Sequence, residues 1–257
     1  PLMVRISATE YCDGGYSAAD MIALCQALER AGVIAIDMSG GTNESPELSR
    51  YCIQPPSFAR RFLEPYARPI AKAVGIPTIM AGRVIDPEDA EGILQAGSAD
   101  FVAVCRALVA DAYWPRKALG ELRTPIRKCI SCNVCFERLT LERDVACVTN
   151  PMVGLEYERI ESAEPQLRKN ASLPSGRKRI LVLGAGVAGV EAARVAAGLG
   201  HQVEIWEKAA KPGGQMPLAL AAPDKADVAG VWTYRWEQIE SLGVPVRTGV
   251  NANAESI

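Results

Sequence analysis

The feature that most constrains the fold is a regular alternation of short apolar runs with helical segments in the N-terminal part of the chain. Four runs rich in β-branched residues predict buried strands: 2–7, 33–38, 76–80 and 101–105. The helical segments between them are 17–31, which Ser17 would cap, 58–73 and 87–96, and another helical stretch follows the fourth run. Such alternation predicts a parallel α/β sheet, because each crossover lays a helix on the sheet. Counting alone leaves open half of an eightfold barrel and an open doubly wound sheet.

A second βα pattern begins near residue 178. Residues 179–183 predict a strand, a glycine-rich turn and a helix to about 199 follow, and 203–206 predict the next strand. The preceding stretch is polar and contains prolines, which indicates a linker. We therefore expect a first α/β domain, a cysteine-rich segment, a linker and a partial second domain, with bounds 1–128, 129–150, 151–177 and 178–257.

The glycine turn of this second pattern carries a dinucleotide-binding fingerprint, Gly184-Ala185-Gly186-Val187-Ala188-Gly189. It lies between a strand and a helix, and Glu207 ends the next strand about 20 residues later, where an acid binds ribose hydroxyls. Glu207 also argues against a 2'-phosphate. Gly214 and Gln215 belong to a second tight turn that could lie beside a flavin dinucleotide. The alternative is a turn that only packs helix on strand.

The cysteines form the sharpest local motif. Cys129, Cys132 and Cys135 follow one another at intervals of three, and Cys147 comes after eleven further residues. Three close thiolates and a fourth from a returning loop suit a 4Fe–4S cluster. A zinc site is the alternative, although zinc sites usually pair their ligands in two separated knuckles. The other cysteines have no matching spacing and are expected to be small buried side chains: Cys12, Cys25, Cys52 and Cys105.

Further candidates follow the predicted strands of the first domain. They are Arg5, residues 39–41, Gly82 with Arg83, and Cys105 with Arg106. Barrel active sites lie at this edge of the sheet, and phosphates bind in the loops after the last two strands. On that basis Gly82 and Arg106 would hold a phosphate. The alternative is that the three arginines are surface or ion-pairing residues.

Composition favours small-molecule chemistry. The chain has 49% hydrophobic and 23% charged residues and a formal net charge of -2. This charge offers no reason to expect nucleic-acid or anionic-membrane binding. No apolar run is long enough to span a bilayer and no signal peptide precedes the first strand, so a cytoplasmic location is the default expectation. His201, the only histidine, lies in a turn and is expected to be structural.

Several motifs together resemble one family. The dinucleotide fingerprint follows four shorter motifs, in the order seen in NADH:flavin oxidoreductases: residues 4–7, 80–83, 104–108 and 129–135. This family includes 2,4-dienoyl-CoA reductase and trimethylamine dehydrogenase. The cysteine spacing is more similar to the amine dehydrogenase arrangement. The resemblance implies the C-terminal half of an Old Yellow Enzyme-type (β/α)8 TIM barrel, then the cluster segment and the start of a Rossmann-like FAD/NAD(P)-binding domain.

The resemblance also implies roles for individual residues. Arg5 would lie against the pyrimidine edge of FMN and stabilise the reduced flavin. Gly82, Arg83, Cys105 and Arg106 would match the FMN phosphate loops.

For residues 129–257, the resemblance implies that the four spaced cysteines hold the 4Fe–4S cluster and that the glycine fingerprint with Glu207 binds FAD or only ADP.

The family's acid–base residues lie earlier in the barrel, so none is assigned. Because the chain begins at Pro1, directly before a strand, and stops at Ile257 inside an αβ unit, we expect both ends to be truncated. We also expect the half-barrel to be unstable and inactive alone.

The implied function is electron transfer from NAD(P)H through FAD, the cluster and FMN to an unsaturated, enoyl- or dienoyl-CoA-like small molecule. The first alternative is a methylated-amine dehydrogenase whose cluster passes electrons to an electron-transfer flavoprotein. A more distant alternative is a zinc-stabilised nucleotide-binding protein without turnover. The full-length protein is expected to form a homo-oligomer.

Overall fold

The structure, a computed structural model, describes residues 1–155 and 176–255. Contacts divide the chain into two compact units, Pro1–Ala112 with Ser131–Asn133, and Tyr113–Ile130 with Val134–Ile257. This division falls after Ala112, earlier than the predicted end of the first domain at 128. The boundaries around the cysteine segment and linker stay predictions, and most of the linker, residues 156–175, lies outside the described residues.

The first unit is a parallel α/β layer. Its strands are β1 Met3–Ser7, β2 Ala35–Ser39, β3 Thr78–Met80 and β4 Phe101–Val102, and they lie side by side in chain order, all parallel. Its helices are α1 Ala18–Arg30, α2 Pro46–Cys52, α3 Glu64–Ala73, α4 Pro87–Gln95 and α5 Arg106–Ala110. The predicted parallel sheet of the α/β class is confirmed.

Local start signals explain most helix boundaries in this unit. The Ser17 hydroxyl accepts the Asp20 backbone N–H while the Asp20 carboxylate accepts from Ser17, a capping box that begins α1. Helix α2 was not predicted, because it lies inside the long loop after β2; Ser45 caps it and Pro46 occupies its first turn. Helix α3 begins at Glu64, later than the predicted residue 58.

The two faces of the four-stranded sheet differ in burial. One face packs against the helices and is lined by Ile36, Met38 and Met80, none of which has exposed surface. On the other face Met3 is 55% exposed and Phe101 59% exposed. Parallel sheets are usually covered on both faces. The second face of this sheet is therefore open within the first unit.

The second unit contains a parallel three-stranded sheet, β5 Arg179–Leu183, β6 Gln202–Glu207 and β7 Val246–Thr248, in that order. Its helices are α6 Trp114–Ala118, α7 Val134–Thr140, α8 Val187–Gly198, α9 Met216–Leu220, a 3-10 helix Ala226–Ala229 and α10 Gly230–Ser241. Ile205 and Val190 are fully buried between the sheet and α8. Among the described residues, no helix is long and apolar enough to cross a membrane.

Candidate functional site

Arg5 lies on the open face of the first sheet, in a row that the strand register defines. Arg5 is level with Asp37, Asp37 with Ile79, and Ile79 with Phe101. The Arg5 Nε atom is 3.5 Å from Asp37 Oδ2, and the Arg5 side chain is 60% exposed. The Asp37 Oδ1 atom is buried without a hydrogen-bond partner among the described residues. An exposed guanidinium on this open face fits a planar ligand edge that accepts hydrogen bonds, such as a flavin pyrimidine.

Gly82 and Arg83 follow β3 in a strained turn. Gly82 has φ +123°, and a Cβ added there would lie 3.2 Å from Leu63 Cβ. Arg83 has φ +50°, uncommon for a residue with a side chain. The Arg83 side chain is buried and donates to the carbonyl of Phe58, while its own carbonyl accepts the Arg61 N–H. Arg83 therefore holds the loop that precedes α3.

Cys105 and Arg106 follow β4. The Cys105 residue immediately precedes α5 and is exposed, so the expectation that its side chain would be buried is wrong. The Arg106 Nη1 atom donates to Gln54 O at 2.7 Å and to Asn133 Oδ1 at 2.6 Å, and Asn133 Nδ2 donates to Ile53 O. A guanidinium carries five N–H donors, so these bonds are compatible with a further anionic ligand. In this structure Arg106 joins the segment after α2 to the cysteine loop.

The cysteine loop turns sharply around Cys132. Ser131 and Asn133 have φ +53° and +61°, both left-handed values. The Cys132 thiol between them is exposed. Helix α7 begins directly afterwards at Val134 and carries Cys135 in its first turn.

The four predicted cluster ligands are cysteines, and cysteine thiolates are the donors that hold iron–sulfur clusters. Cys129, Cys132, Cys135 and Cys147 are all outside disulfides, and each has some exposed surface. Cys132 belongs to the first unit and the other three to the second. In the described parts of the chain, no group of three or more His, Cys, Asp or Glu side chains forms a metal site.

The glycine fingerprint has the backbone geometry that phosphate binding requires. Gly184 follows β5 with φ +99°, and Gly186 is the extended N-cap of α8. A Cβ on Gly189 would lie 1.9 Å from the carbonyl oxygen of Gly184, and one on Gly214 would lie 3.0 Å from Gly186 Cα. The first contact forbids a side chain at Gly189. The missing side chain of Gly186, the N-cap, leaves the backbone N–H groups at the start of α8 open to close approach by a pyrophosphate.

Glu207 closes the fingerprint from the end of β6. Its side chain is buried, and its two oxygens accept the backbone N–H groups of Ala209 at 2.8 Å and Ala185 at 2.7 Å. These hydrogen bonds, that of Ala209 first, lower the pKa of Glu207 below its ordinary value. Each oxygen keeps a second lone pair, so an ionised Glu207 can still accept a ribose hydroxyl. Gln215 is exposed beside Gly214 at the start of α9.

His201 takes part in a backbone contact. Its Nδ1 atom accepts the Lys178 N–H at 3.3 Å, which joins the turn before β6 to the start of β5. This contact agrees with the structural role expected for the only histidine.

A buried ionic cluster in the second unit was not predicted. Glu191 of α8 accepts two hydrogen bonds from Arg194 and lies 3.0 Å from Arg235 Nε of α10. Both guanidinium groups are almost fully buried. The spacing of Glu191 and Arg194 in a helix could have indicated their pairing. No sequence signal joins them to Arg235, which reaches them only through the packing of α8 against α10.

Comparison with known sequences finds related enzymes over the whole chain. The chain is 39% identical to an NADH oxidase of Thermoanaerobacter brockii, with 100% of the chain aligned to 38% of the relative. It is 36% identical to a metal reductase of Desulforamulus reducens, with 100% aligned to 36%. It is 34% identical to an N,N-dimethylglycine/sarcosine dehydrogenase of Chromohalobacter salexigens, with 73% aligned to 26%. The chain thus spans between 26% and 38% of the length of these relatives.

Two further comparisons agree with the fold. A solved structure of 2-naphthoyl-CoA reductase in complex with 2-naphthoyl-CoA superposes on 100% of the chain and 37% of its own length, with a TM-score of 0.85 and 30% identity. The family model described as alanine dehydrogenase/PNT, C-terminal domain matches residues 171–221, the segment that contains the glycine fingerprint.

Parallel α/β units with a glycine fingerprint and a set of four spaced cysteines, together with these relatives, indicate a part of a protein of the flavin oxidoreductase type. The chain belongs to the NADH:flavin oxidoreductase family that includes 2,4-dienoyl-CoA reductase, and it covers a part of such a protein.

Proposed function

We propose that this chain forms part of a flavin- and iron–sulfur-dependent reductase that uses NAD(P)H to reduce an unsaturated, enoyl- or dienoyl-CoA-like substrate. The observation that carries the proposal is the presence, in one chain, of a glycine fingerprint closed by Glu207 and a set of four cysteines at cluster-ligand spacing. When bound, FMN, FAD and a 4Fe–4S cluster would supply hydride and single-electron transfer, while the protein positions and tunes them.

The second unit would bind FAD or ADP through its fingerprint. The N-terminus of α8 offers backbone N–H groups and a favourable helix dipole to the pyrophosphate. Glu207 would accept the ribose hydroxyls with its remaining lone pairs, and its lowered pKa keeps it ionised at neutral pH. Gly214 would let the second turn approach the dinucleotide because it has no side chain.

The first unit would bind FMN on the open face of its sheet. The exposed guanidinium of Arg5 would place positive charge at the pyrimidine edge. The loops with Gly82 and Arg106 would hold the phosphate. The remaining strands of a (β/α)8 barrel would come from outside this chain.

The reductive direction is supported by two of the similar proteins. One is named NADH oxidase, and another is a reductase bound to an aromatic acyl-CoA. The first name fits electron entry from NADH, and the second fits reduction of an unsaturated acyl-CoA.

Oxidation of a methylated amine is the second candidate function. It is favoured by the cysteine spacing, which resembles that of the amine dehydrogenases, and by the similarity to N,N-dimethylglycine/sarcosine dehydrogenase. In this case electrons would leave through the cluster to a separate electron-transfer flavoprotein.

Anaerobic mixing of the complete protein with each donor tests the direction of electron flow. NADH or NADPH should bleach the flavin absorbance rapidly, while a methylated amine such as dimethylglycine should not. Rapid bleaching by the amine alone would favour the second candidate. Bleaching by neither donor would contradict both.

Metal analysis tests the cluster itself. Anaerobically purified complete protein should contain iron and acid-labile sulfide in about a four-to-four ratio per chain. Cys147→Ser should lose the cluster and still bind ADP, because the fingerprint does not use this residue. Cys52→Ser is the matched control and should keep its iron. Stoichiometric zinc without iron would instead favour a zinc-stabilised nucleotide-binding protein.

A further inference from the structure

A buried hydroxyl group, that of Thr149, lies beside the sulfur of Cys147. The Cys147 Sγ atom is 3.2 Å from Thr149 Oγ1, within hydrogen-bonding distance. Thr149 has no exposed surface, whereas Cys147 is half-buried. Water therefore cannot easily replace this hydroxyl, and a hydrogen bond at a site with little solvent is electrostatically stronger than one in water.

We propose that Thr149 donates a hydrogen bond to the sulfur of Cys147 and raises the reduction potential of the cluster that this cysteine would ligate. The inference rests on the proposed function, because it takes Cys147 as the fourth ligand. A metal-bound thiolate has no proton to give, so the hydroxyl must be the donor. Hydrogen bonds to cluster sulfurs offset the extra negative charge of the reduced state, which makes reduction easier.

The backbone of Thr149 is held by the ionic cluster between α8 and α10. The Arg235 Nη2 atom donates to Thr149 O at 3.3 Å, and Arg235 Nη1 donates to Val231 O at 2.7 Å within its own helix. The Nε atom of the same guanidinium lies 3.0 Å from Glu191. Arg235 thus connects the nucleotide-binding helix to the loop that carries Cys147.

The next residue is fixed from the other side. The Asn150 Oδ1 atom accepts from Arg127 Nη1 at 3.1 Å and from the Met152 N–H at 3.0 Å. Arg127 in turn donates to Tyr234 Oη of α10 at 3.2 Å, and both side chains are buried. Two arginines therefore anchor successive residues of this loop to one helix. These hydrogen bonds hold the backbone that places the Thr149 hydroxyl beside the sulfur.

Two substitutions at Thr149 separate the hydroxyl from the shape of the side chain. Thr149→Val has nearly the same shape but cannot donate, whereas Thr149→Ser keeps the hydroxyl and loses a methyl group. The complete protein and both variants would be titrated anaerobically with dithionite. The midpoint potential of the cluster would be followed by electron paramagnetic resonance, with iron and sulfide measured on the same samples.

We expect the valine variant to retain iron and to shift to a lower midpoint potential, and the serine variant to stay close to the unsubstituted protein. Equal potentials for the valine variant and the unsubstituted protein, both loaded with iron, would overturn the role of Thr149 and leave the proposed function intact. Iron-free unsubstituted protein would instead overturn the proposed function. If the valine variant does not fold, Thr149→Ala makes the same comparison, and an unchanged potential there would equally overturn the inference.

Discussion

Gly189 is the residue where one added side-chain carbon should most disturb the proposed nucleotide site. In an ordinary helix, glycine to alanine stabilises by about 0.5–1 kcal/mol. At Gly189 the added Cβ would lie 1.9 Å from the carbonyl oxygen of Gly184, so helix and strand must separate. Overpacking of this kind costs about 1–3 kcal/mol or more and outweighs the propensity gain.

We therefore expect Gly189→Ala to lower the thermal unfolding midpoint and to weaken ADP binding measured by calorimetry. Gly230→Ala is the matched control in the same unit. Its Cβ would meet Ile130 Cγ2 at 3.5 Å, an ordinary contact, so stability and ADP binding should be unchanged or slightly improved. Equal behaviour of the two variants would contradict the close approach at Gly189.

The carboxylate of Glu207 should contribute to stability in a pH-dependent way. Glu207→Gln leaves either the Ala185 or the Ala209 N–H without its charged acceptor, a loss of about 1.5–3 kcal/mol. The pKa of Glu207 is lowered in the folded protein. The stabilisation is therefore fully present above the unfolded pKa of about 4.3 and is lost as the pH falls through the lower, folded pKa.

Urea midpoints of the complete protein, followed by tryptophan fluorescence, check this expectation. The difference between unsubstituted protein and Glu207→Gln should be large at pH 7 and should shrink when the pH is taken below 4. Glu204→Gln is the control. Glu204 lies on the same strand, but among the described contacts its side chain accepts no backbone N–H, so this variant should show a smaller effect. A difference that persists unchanged into acid would argue against a charged acceptor.

Between elements, the ionic cluster of α8 and α10 should behave as a unit. Burial would raise the pKa of Glu191, but the hydrogen bonds from Arg194 and the charges of Arg194 and Arg235 lower it. Glu191→Gln leaves two buried guanidinium groups without their shared counter-charge, which costs about 3 kcal/mol. Thermal unfolding of this variant should show the loss, whereas Glu237→Gln on the exposed side of α10 should change little. A loss equally large at Glu237 would contradict the assignment.

Elements with strong local signals could be predicted from the sequence, and those that depend on distant partners could not. The strand 179–183 and the Ser17 cap agree with the structure, since an aliphatic run and a capping box act within a few residues. Helix α2 was missed because its Ser45 and Pro46 start signal lies between the predicted strand 33–38 and the predicted helix 58–73, where no element was predicted. The contact of Thr149 with Cys147 has no pattern in the sequence, because it depends on how the loop that carries both residues is anchored to α10.

For the whole molecule, the open face of the first sheet is the feature that most needs an explanation. Met3 and Phe101 are largely exposed there, although the opposite face is fully packed. Isolated exposed apolar residues are common, but a parallel sheet with one bare face is not. Since the chain spans only about a third of its relatives, we expect further strands of the complete protein to cover this face.

Phe101→Thr should therefore have opposite effects in the chain alone and in the complete protein. In residues 1–257 alone Phe101 is 59% exposed, so its removal should reduce hydrophobic-dye binding and aggregation. In the complete protein it would be buried, and losing the ring should lower the unfolding free energy by about 3 kcal/mol. Leu119→Thr, at a leucine that is 76% exposed in the second unit, is the control and should leave the complete protein unchanged. If Phe101→Thr does not destabilise the complete protein, this face is open to solvent there, and a barrel that encloses Arg5 and the FMN site would be ruled out.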